Sequence, residues 1–331
     1  MEVKKILHLG WNNCYQIKWH HLVCIVTTDV GPRIISLSHS DTHHEMFAFA
    51  QADAGKTGGD SWRLYGGHRL WTAPEVDPRT YYPDNDPVEL ISNEDSVTLK
   101  PPHETVNNVA KTIIITGRGG SGSTEPYLEV RHQVTNISRW PIELAPWAIT
   151  VMCKQTRAIV PLSELTPGQT PLQAKTSLSI WNYTKLNDPR FIFGEKYLLV
   201  DQQPTATTTN KIGAQVNNGW TAAVNGTGSL FVKLINRCTR NLEVDHGANV
   251  EVYLSPDIVE LETVGPLERI EPGQHTDLVE NWFLFRDVKL PTNDSDVESN
   301  VLPLVRKVMD QQPQQHHHHH HQHHHHAEQH Q

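Results

Sequence analysis

Residues 249–274 read NVEVYLSPDIVELETVGPLERIEPGQ, and the alternation inside this stretch decides the fold class. Residues two apart on a strand share a face, so Val259 and Leu261 point one way and Glu260 and Glu262 the other. Ser255-Pro256-Asp257 separates this strand from the one before it, and a hairpin across that turn brings Glu251 close to the pair. The same pattern of short strands and turn signals extends along the chain: LVCIVTT and RIISLSH early, AKTIIITGR and PIELAPWAITVMC in the middle, SLFVKLIN and DLVENWFLFRDV late. Tyr127 to Val134, YLEVRHQV, has a clean period of two, which marks a sheet with one face buried and one wet. β-branched and aromatic content with turns at short intervals predicts an all-β sandwich or barrel built from antiparallel strands.

One segment departs from this period. In SNVLPLVRKVMD, residues 299–310, Val301, Leu304, Val305, Val308 and Met309 fall on one helical face, and Pro303 fits a first turn. The spacing predicts one short C-terminal helix packed on the sheet. No linker-like break and no repeat of 20–50 residues interrupts the first 290 residues, so these are expected to form one β domain. Residues 291–310 then supply a linker and the helix, and residues 311–331 a disordered His-rich tail whose imidazoles bind transition ions loosely.

Composition narrows the partners. A net charge of −9 and a pI near 6.2 disfavour nucleic acid and anionic membranes, both of which need a basic face. No apolar run approaches the roughly 20 residues that span a bilayer. Cys14, Cys24, Cys153 and Cys238 lie far apart, as buried reduced thiols of a cytoplasmic protein would. G-x-S-x-G, P-loop and H-E-x-x-H signatures are missing, and Gly66-Gly67 lacks the third glycine of a dinucleotide site. Neither a cofactor nor a site metal is expected.

Chemistry concentrates in two places. Residues 60–88, DSWRLYGGHRLWTAPEVDPRTYYPDNDPV, combine a Gly-Gly turn, a His-Arg pair, two tryptophans and three tyrosines with Glu75 and the Asp84-Asn85-Asp86 cluster. Their four prolines argue against an interior strand, and the segment reads as a long ordered loop that either builds a small-molecule site or covers one end of the core. The second place is the Glu260/Glu262 strand. Carboxylates held side by side repel, which raises the pKa of one and suits it to acid–base work. A solvated sheet face with counter-charges would show the same E-x-E. Lys211, at the start of a strand, is a sugar- or phosphate-directed cation or a surface lysine. Trp147 and Trp181 stack on a ligand or fill the core. Asp245-His246-Gly247 reads as a turn.

With these residues in view, the chain resembles the galactose mutarotase-like superfamily, the aldose 1-epimerases and their relatives. Ile270-Glu271-Pro272-Gly273 matches the turn that follows the superfamily's late glutamate strand. Residues 31–39, GPRIISLSH, resemble its first sheet, and residues 135–150, TNISRWPIELAPWAIT, its mid-chain strand pair. The resemblance covers roughly residues 5–287 and implies a large antiparallel β-supersandwich. It also implies a sugar or sugar-derivative ligand, with Glu262 or Glu260 as the base. The superfamily pairs this glutamate with two histidines. Trp147 stands at the place of one, and His68 is the candidate for the other. On that reading His68, helped by Arg69, is the acid. Arg69 and Lys211 hold hydroxyls or an anionic group, and Trp71, Tyr82 and Trp147 stack on the ring. Glu75, Asp84, Asn85 and Glu251 complete the substrate-binding set.

Three functions are compatible with this set: an epimerase-like isomerase, a non-catalytic carbohydrate-binding or sensing protein, and a domain related to hydrolases or lyases. The first requires Glu262, Glu260, His68 and Arg69 to converge on one pocket. The second requires aromatics and Arg69 in a groove, with no imidazole near the glutamates.

Overall fold

A computed structural model describes residues 1–236 and 244–313. The β-rich pattern becomes two large sheets, in which every strand pair within the described residues is antiparallel. The first sheet has eleven strands. Its main path runs from Glu2–His8 through Trp11–Trp19, Leu22–Thr27, Arg33–His39, His68–Ala73 and Ile142–Met152 to Val259–Val264, Val250–Leu254, Asn210–Ala214 and Leu178–Ile180. Glu268–Ile270 pairs with Ile142–Met152 off this path. The second sheet has ten strands, with His275–Phe285, Tyr127–Asn136 and Leu230–Ile235 near its middle.

Apolar side chains from the facing sides of the two sheets interdigitate, among them Ile34, Leu70, Leu261, Val130, Phe231 and Trp282. Burial of such residues, worth about 1.5–3 kcal/mol each, is the main force holding the layers together. This is the sandwich that the alternation predicts. The hairpin across Ser255-Pro256-Asp257 is present, with Glu251 in register with Glu262 and Val252 with Leu261. Asp245–Gly247 forms a short turn, as read from the sequence.

The C-terminal helix divides in two, Asp294–Asn300 and Leu302–Asp310. Asn293 caps the first, its side chain accepting a hydrogen bond from the Asp296 amide. Val301, Val305 and Val308 pack on the outer face of the second sheet beside Trp220, Leu230 and Phe283. Cys14 and Cys24 are buried free thiols and Cys153 is half-buried, whereas Cys238 lies outside the described residues. So does the His-rich tail from residue 314 on. No helix among the described residues is long and apolar enough to cross a membrane.

Residues 60–88 require a correction. They are not a continuous loop, because His68–Ala73 is a fully buried strand inside the first sheet, paired with Arg33–His39 and Ile142–Met152. All four prolines of the segment, Pro74, Pro78, Pro83 and Pro87, follow the strand and leave its ladder intact. Gly66 and Gly67 bring the chain in at positive φ, with the ideal Cβ of each only 2.3 Å from a neighbouring carbonyl oxygen, Ala48 and Ile34 respectively. Side chains at either position would force the strands apart.

Candidate functional site

The middle of the first sheet carries a row of charged and aromatic side chains on its outer face. Register defines the row: Ile149 lies between Arg69 and Glu262, and Glu262 pairs with Glu251. One step along, Glu260 pairs with Tyr253 and Tyr253 with Lys211. In the other direction Trp147 pairs with Trp71. Registered partners share a face, so these residues project together.

Two cations thread between three carboxylates. Arg69 Nη2 donates to Glu260 Oε2 at 3.0 Å. Lys211 Nζ lies 3.1 Å from Glu251 Oε1 and 3.3 Å from Glu262 Oε2, and Trp147 Nε1–H donates to the same Glu262 oxygen at 3.2 Å. The Arg69 guanidinium sits 4.5 Å from the Trp71 ring centre and 5.6 Å from that of Trp62. Lys211 lies 4.8 Å from the Trp147 centre and 4.6 Å from that of Trp181. Gly213 makes the last contact possible, since its ideal Cβ would lie 3.2 Å from the Trp181 ring. Trp62, Trp71 and Tyr81 pack edge-on or tilted with centres 5.1–5.5 Å apart, and Tyr81 donates to Glu75.

Burial sets the electrostatics. Glu262, Arg69 and Lys211 are almost wholly buried, whereas Trp62, Trp181, Tyr81 and Tyr253 are half-buried and Tyr183 and Glu75 are exposed. Desolvation first, then the Glu260 charge, raises the Glu262 carboxyl to about 7 against the pull of Lys211 and Arg69. Glu251 is also pushed well up, chiefly by burial. Burial alone would lower Lys211, but Glu262 and Glu251 together outweigh it and hold the ammonium well above its usual range. The group therefore keeps Lys211 charged, disfavours the ionised form of Glu251, and leaves Glu262 poised between its two forms at neutral pH.

Glu260, Glu262, Glu251, Arg69, Lys211, Trp71 and Trp147 are thus brought together as expected, and Glu75 joins them through Tyr81. His68 is not. It alternates with Arg69 on the same strand, so its ring points into the sandwich, where it is fully buried against Thr150, His132 and Trp282. The period of two forbids both members of an adjacent His-Arg pair from facing one ligand.

Asp84 and Asn85 also lie elsewhere. Asp84 receives a bidentate contact from the buried Arg33, Nε–Oδ2 3.0 Å and Nη2–Oδ1 3.1 Å, while Arg33 Nη1 donates to the Leu64 carbonyl at 2.7 Å. Asn85 accepts from the Tyr65 hydroxyl at 2.6 Å and donates to the Gly59 and Ser61 carbonyls. Both fasten the loops on either side of the strand. Tyr82 lines a different, shallow cleft open to solvent, with Pro101, Pro102, Glu104 and Lys111. That cleft shares Trp71 with the charged row but holds none of its carboxylates.

Tyr253, two residues beyond Glu251, shares its face by strand period alone and was legible from sequence. Trp62, Tyr81 and Tyr183 were not, because loops fold them over the sheet.

No family model matches the sequence and no curated protein matches it closely enough to count. Solved structures do match. A galactose mutarotase-like protein from Lactobacillus casei ATCC 334 superposes with a TM-score of 0.50 at 11% identity, over 82% of this chain and 100% of its own. A galactose mutarotase related enzyme from Lactobacillus acidophilus gives 0.51 at 13%, over 85% and 98%. A TPR-domain containing protein from Parabacteroides distasonis gives 0.50 at 11%, over 85% of this chain and 49% of that one, so the chain spans about half of it. The protein has the galactose mutarotase-like fold. At these identities the likeness extends to the backbone and no further.

Proposed function

We propose that the outer face of the first sheet binds a hexose or hexose derivative and that the protein is an aldose 1-epimerase-like isomerase with Glu262 as its base. The observation that carries this is a carboxylate raised to about 7, held between Lys211 and Trp147 beneath aromatic side chains. Anomer exchange needs a base that takes the O1 proton and an acid that protonates the ring oxygen. A carboxylate near 7 matches the first task at neutral pH. Trp71, Trp62 and Trp181 offer flat apolar surface to a sugar ring, and Arg69 and Glu260 offer a donor and an acceptor for its hydroxyls. With His68 turned inward, the acid falls to another group; Tyr253, the registered neighbour of Glu260, faces the same carboxylates.

A second reading, binding without turnover, is favoured by one observation: among the described residues no imidazole contacts Glu260 or Glu262. Magnetisation-exchange NMR on a panel of hexoses and uronic acids separates the two. The epimerase reading expects faster α/β exchange with the wild type, lost in Glu262→Gln with sugar binding retained. Binding with no acceleration by the wild type establishes the second reading instead.

A further inference from the structure

The inner face of the same sheet holds a second polar cluster that sugar chemistry leaves unused. His68, from the first sheet, meets His132 and Glu280, from the second, and all three are fully buried. Their nearest ligand-type atoms lie within 4.8 Å of one another. The two Nε2 atoms face each other at 2.6 Å, and Glu280 Oε1 is 3.9 Å from His68 Nε2.

The outer contacts of the two rings are as informative as the inner ones. His132 Nδ1 is 2.7 Å from the Leu278 carbonyl, which only a protonated Nδ1 can satisfy, so the neutral ring presents a bare Nε2. His68 Nδ1 is 2.7 Å from Thr150 Oγ1, an oxygen able to accept the same kind of bond. An imidazole whose Nδ1–H is anchored on an oxygen, with Nε2 turned toward a shared centre, is the arrangement of a metal-ligating histidine. Glu280 is held in place by Trp282 Nε1–H on Oε1 at 2.9 Å, and by Lys233 Nζ at 3.0 Å and Thr263 Oγ1 at 2.6 Å on Oε2. Oε1 keeps a lone pair for the centre, while the ammonium occupies the other oxygen.

We propose that His68, His132 and Glu280 bind one divalent ion of the zinc class and that this ion ties the two sheets together. Two imidazole nitrogens and a carboxylate oxygen are a ligand set that zinc accepts, with a fourth position open. Nitrogens sharing a tetrahedral ion at Zn–N of 2.0–2.1 Å stand roughly 3.3 Å apart, so the rings separate by about 0.7 Å on loading. The bond would join His68–Ala73 to Tyr127–Asn136 and His275–Phe285, strands that otherwise meet through packing and the His68–His132 contact. Lys233 competes with the ion as the counter-charge of Glu280. Removing its ammonium therefore favours loading, a consequence that a purely hydrogen-bonded cluster does not share.

The test uses the full chain, unfolded and refolded with and without Zn²⁺, then washed with a chelator that strips ions from the histidine tail. One ion per chain retained after washing is expected, with a higher Tm than the metal-free protein. Refolding with Co²⁺ should give the intense visible bands of a tetrahedral site. His68→Asn and His132→Asn are expected to lose the retained ion, and Lys233→Met should gain more in Tm from Zn²⁺ than the wild type does. No retained ion together with an unchanged Tm in the wild type overturns the proposal, and so does retention that survives both histidine substitutions. Because wild-type retention decides the matter, a variant that fails to fold leaves the result intact.

Discussion

His68 and Arg69 are neighbours on one strand and belong to two different clusters. Arg69 joins an outer group of two cations and three carboxylates roofed by half-buried tryptophans and tyrosines. His68 joins an inner group sealed between two sheets, with His132, Glu280 and Lys233 all fully buried. The residue types are similar and the surroundings are not. In the inner group the charges balance one to one: burial alone would raise Glu280, but Lys233 foremost outweighs it and holds the carboxyl below the ordinary carboxylate range. In the outer group carboxylates outnumber cations, and burial drives Glu262 and Glu251 up. The first arrangement locks a fold, and the second leaves a titratable group near neutral pH beside side chains that reach solvent. That contrast separates structure from chemistry more cleanly than residue type does.

The contrast is broken most severely from the inside. Lys233→Met strips Glu280 of its counter-charge where no water can replace it, and should cost about 3–5 kcal/mol in chemical denaturation without added metal. The outer counterpart acts on rate and spares stability. Glu262→Gln should lower anomer exchange by about 10²–10⁴-fold, the range of a lost acid–base group, with a denaturation midpoint close to wild type. The wild-type rate should rise with pH through about 7, because the base is the ionised form and its pKa is raised to that value. A profile already flat from pH 5 upward would remove Glu262 from the base role.

Asp84→Asn sharpens the division from a third position. It breaks the bidentate pair with the fully buried Arg33 and should cost about 3 kcal/mol, with sugar affinity in the remaining folded protein unchanged. A selective loss of affinity, with stability intact, would return Asp84 to the ligand site. The smallest effect belongs to Trp181→Ala, which removes one cation–π wall from Lys211. Calorimetric titration should show binding weaker by about 1 kcal/mol, roughly fivefold, and an unaltered fold.

Much of this was legible in the sequence, and for a definite reason. Period-two alternation is a property of single strands, so the buried face of Tyr127–Asn136 and the shared face of Glu260 and Glu262 follow from local order alone. The same rule, applied to His68 and Arg69, separates them; reading residues 60–88 as a loop suspended it. The number of prolines argues against a strand, but all four lie beyond Ala73 and leave the ladder intact. Asp84 and Asn85 looked like ligand groups because polar loop residues do, yet their partners Arg33 and Tyr65 come from elsewhere in the chain.

By itself the sequence determined most of the strands, their inward and outward faces, the turn between Glu251 and Glu260, and the apolar face of the terminal helix. Each depends on the stereochemistry of a few consecutive residues. Only the tertiary structure decided which strands become neighbours. It set Arg69 across Ile149 from Glu262, laid Trp181 over Lys211, and brought His132 and Glu280 across the core to His68. Such meetings join residues far apart in the chain, Arg69 and Glu260 being separated by 191 positions, and they arise from the burial of whole sheets against each other, which no local pattern encodes.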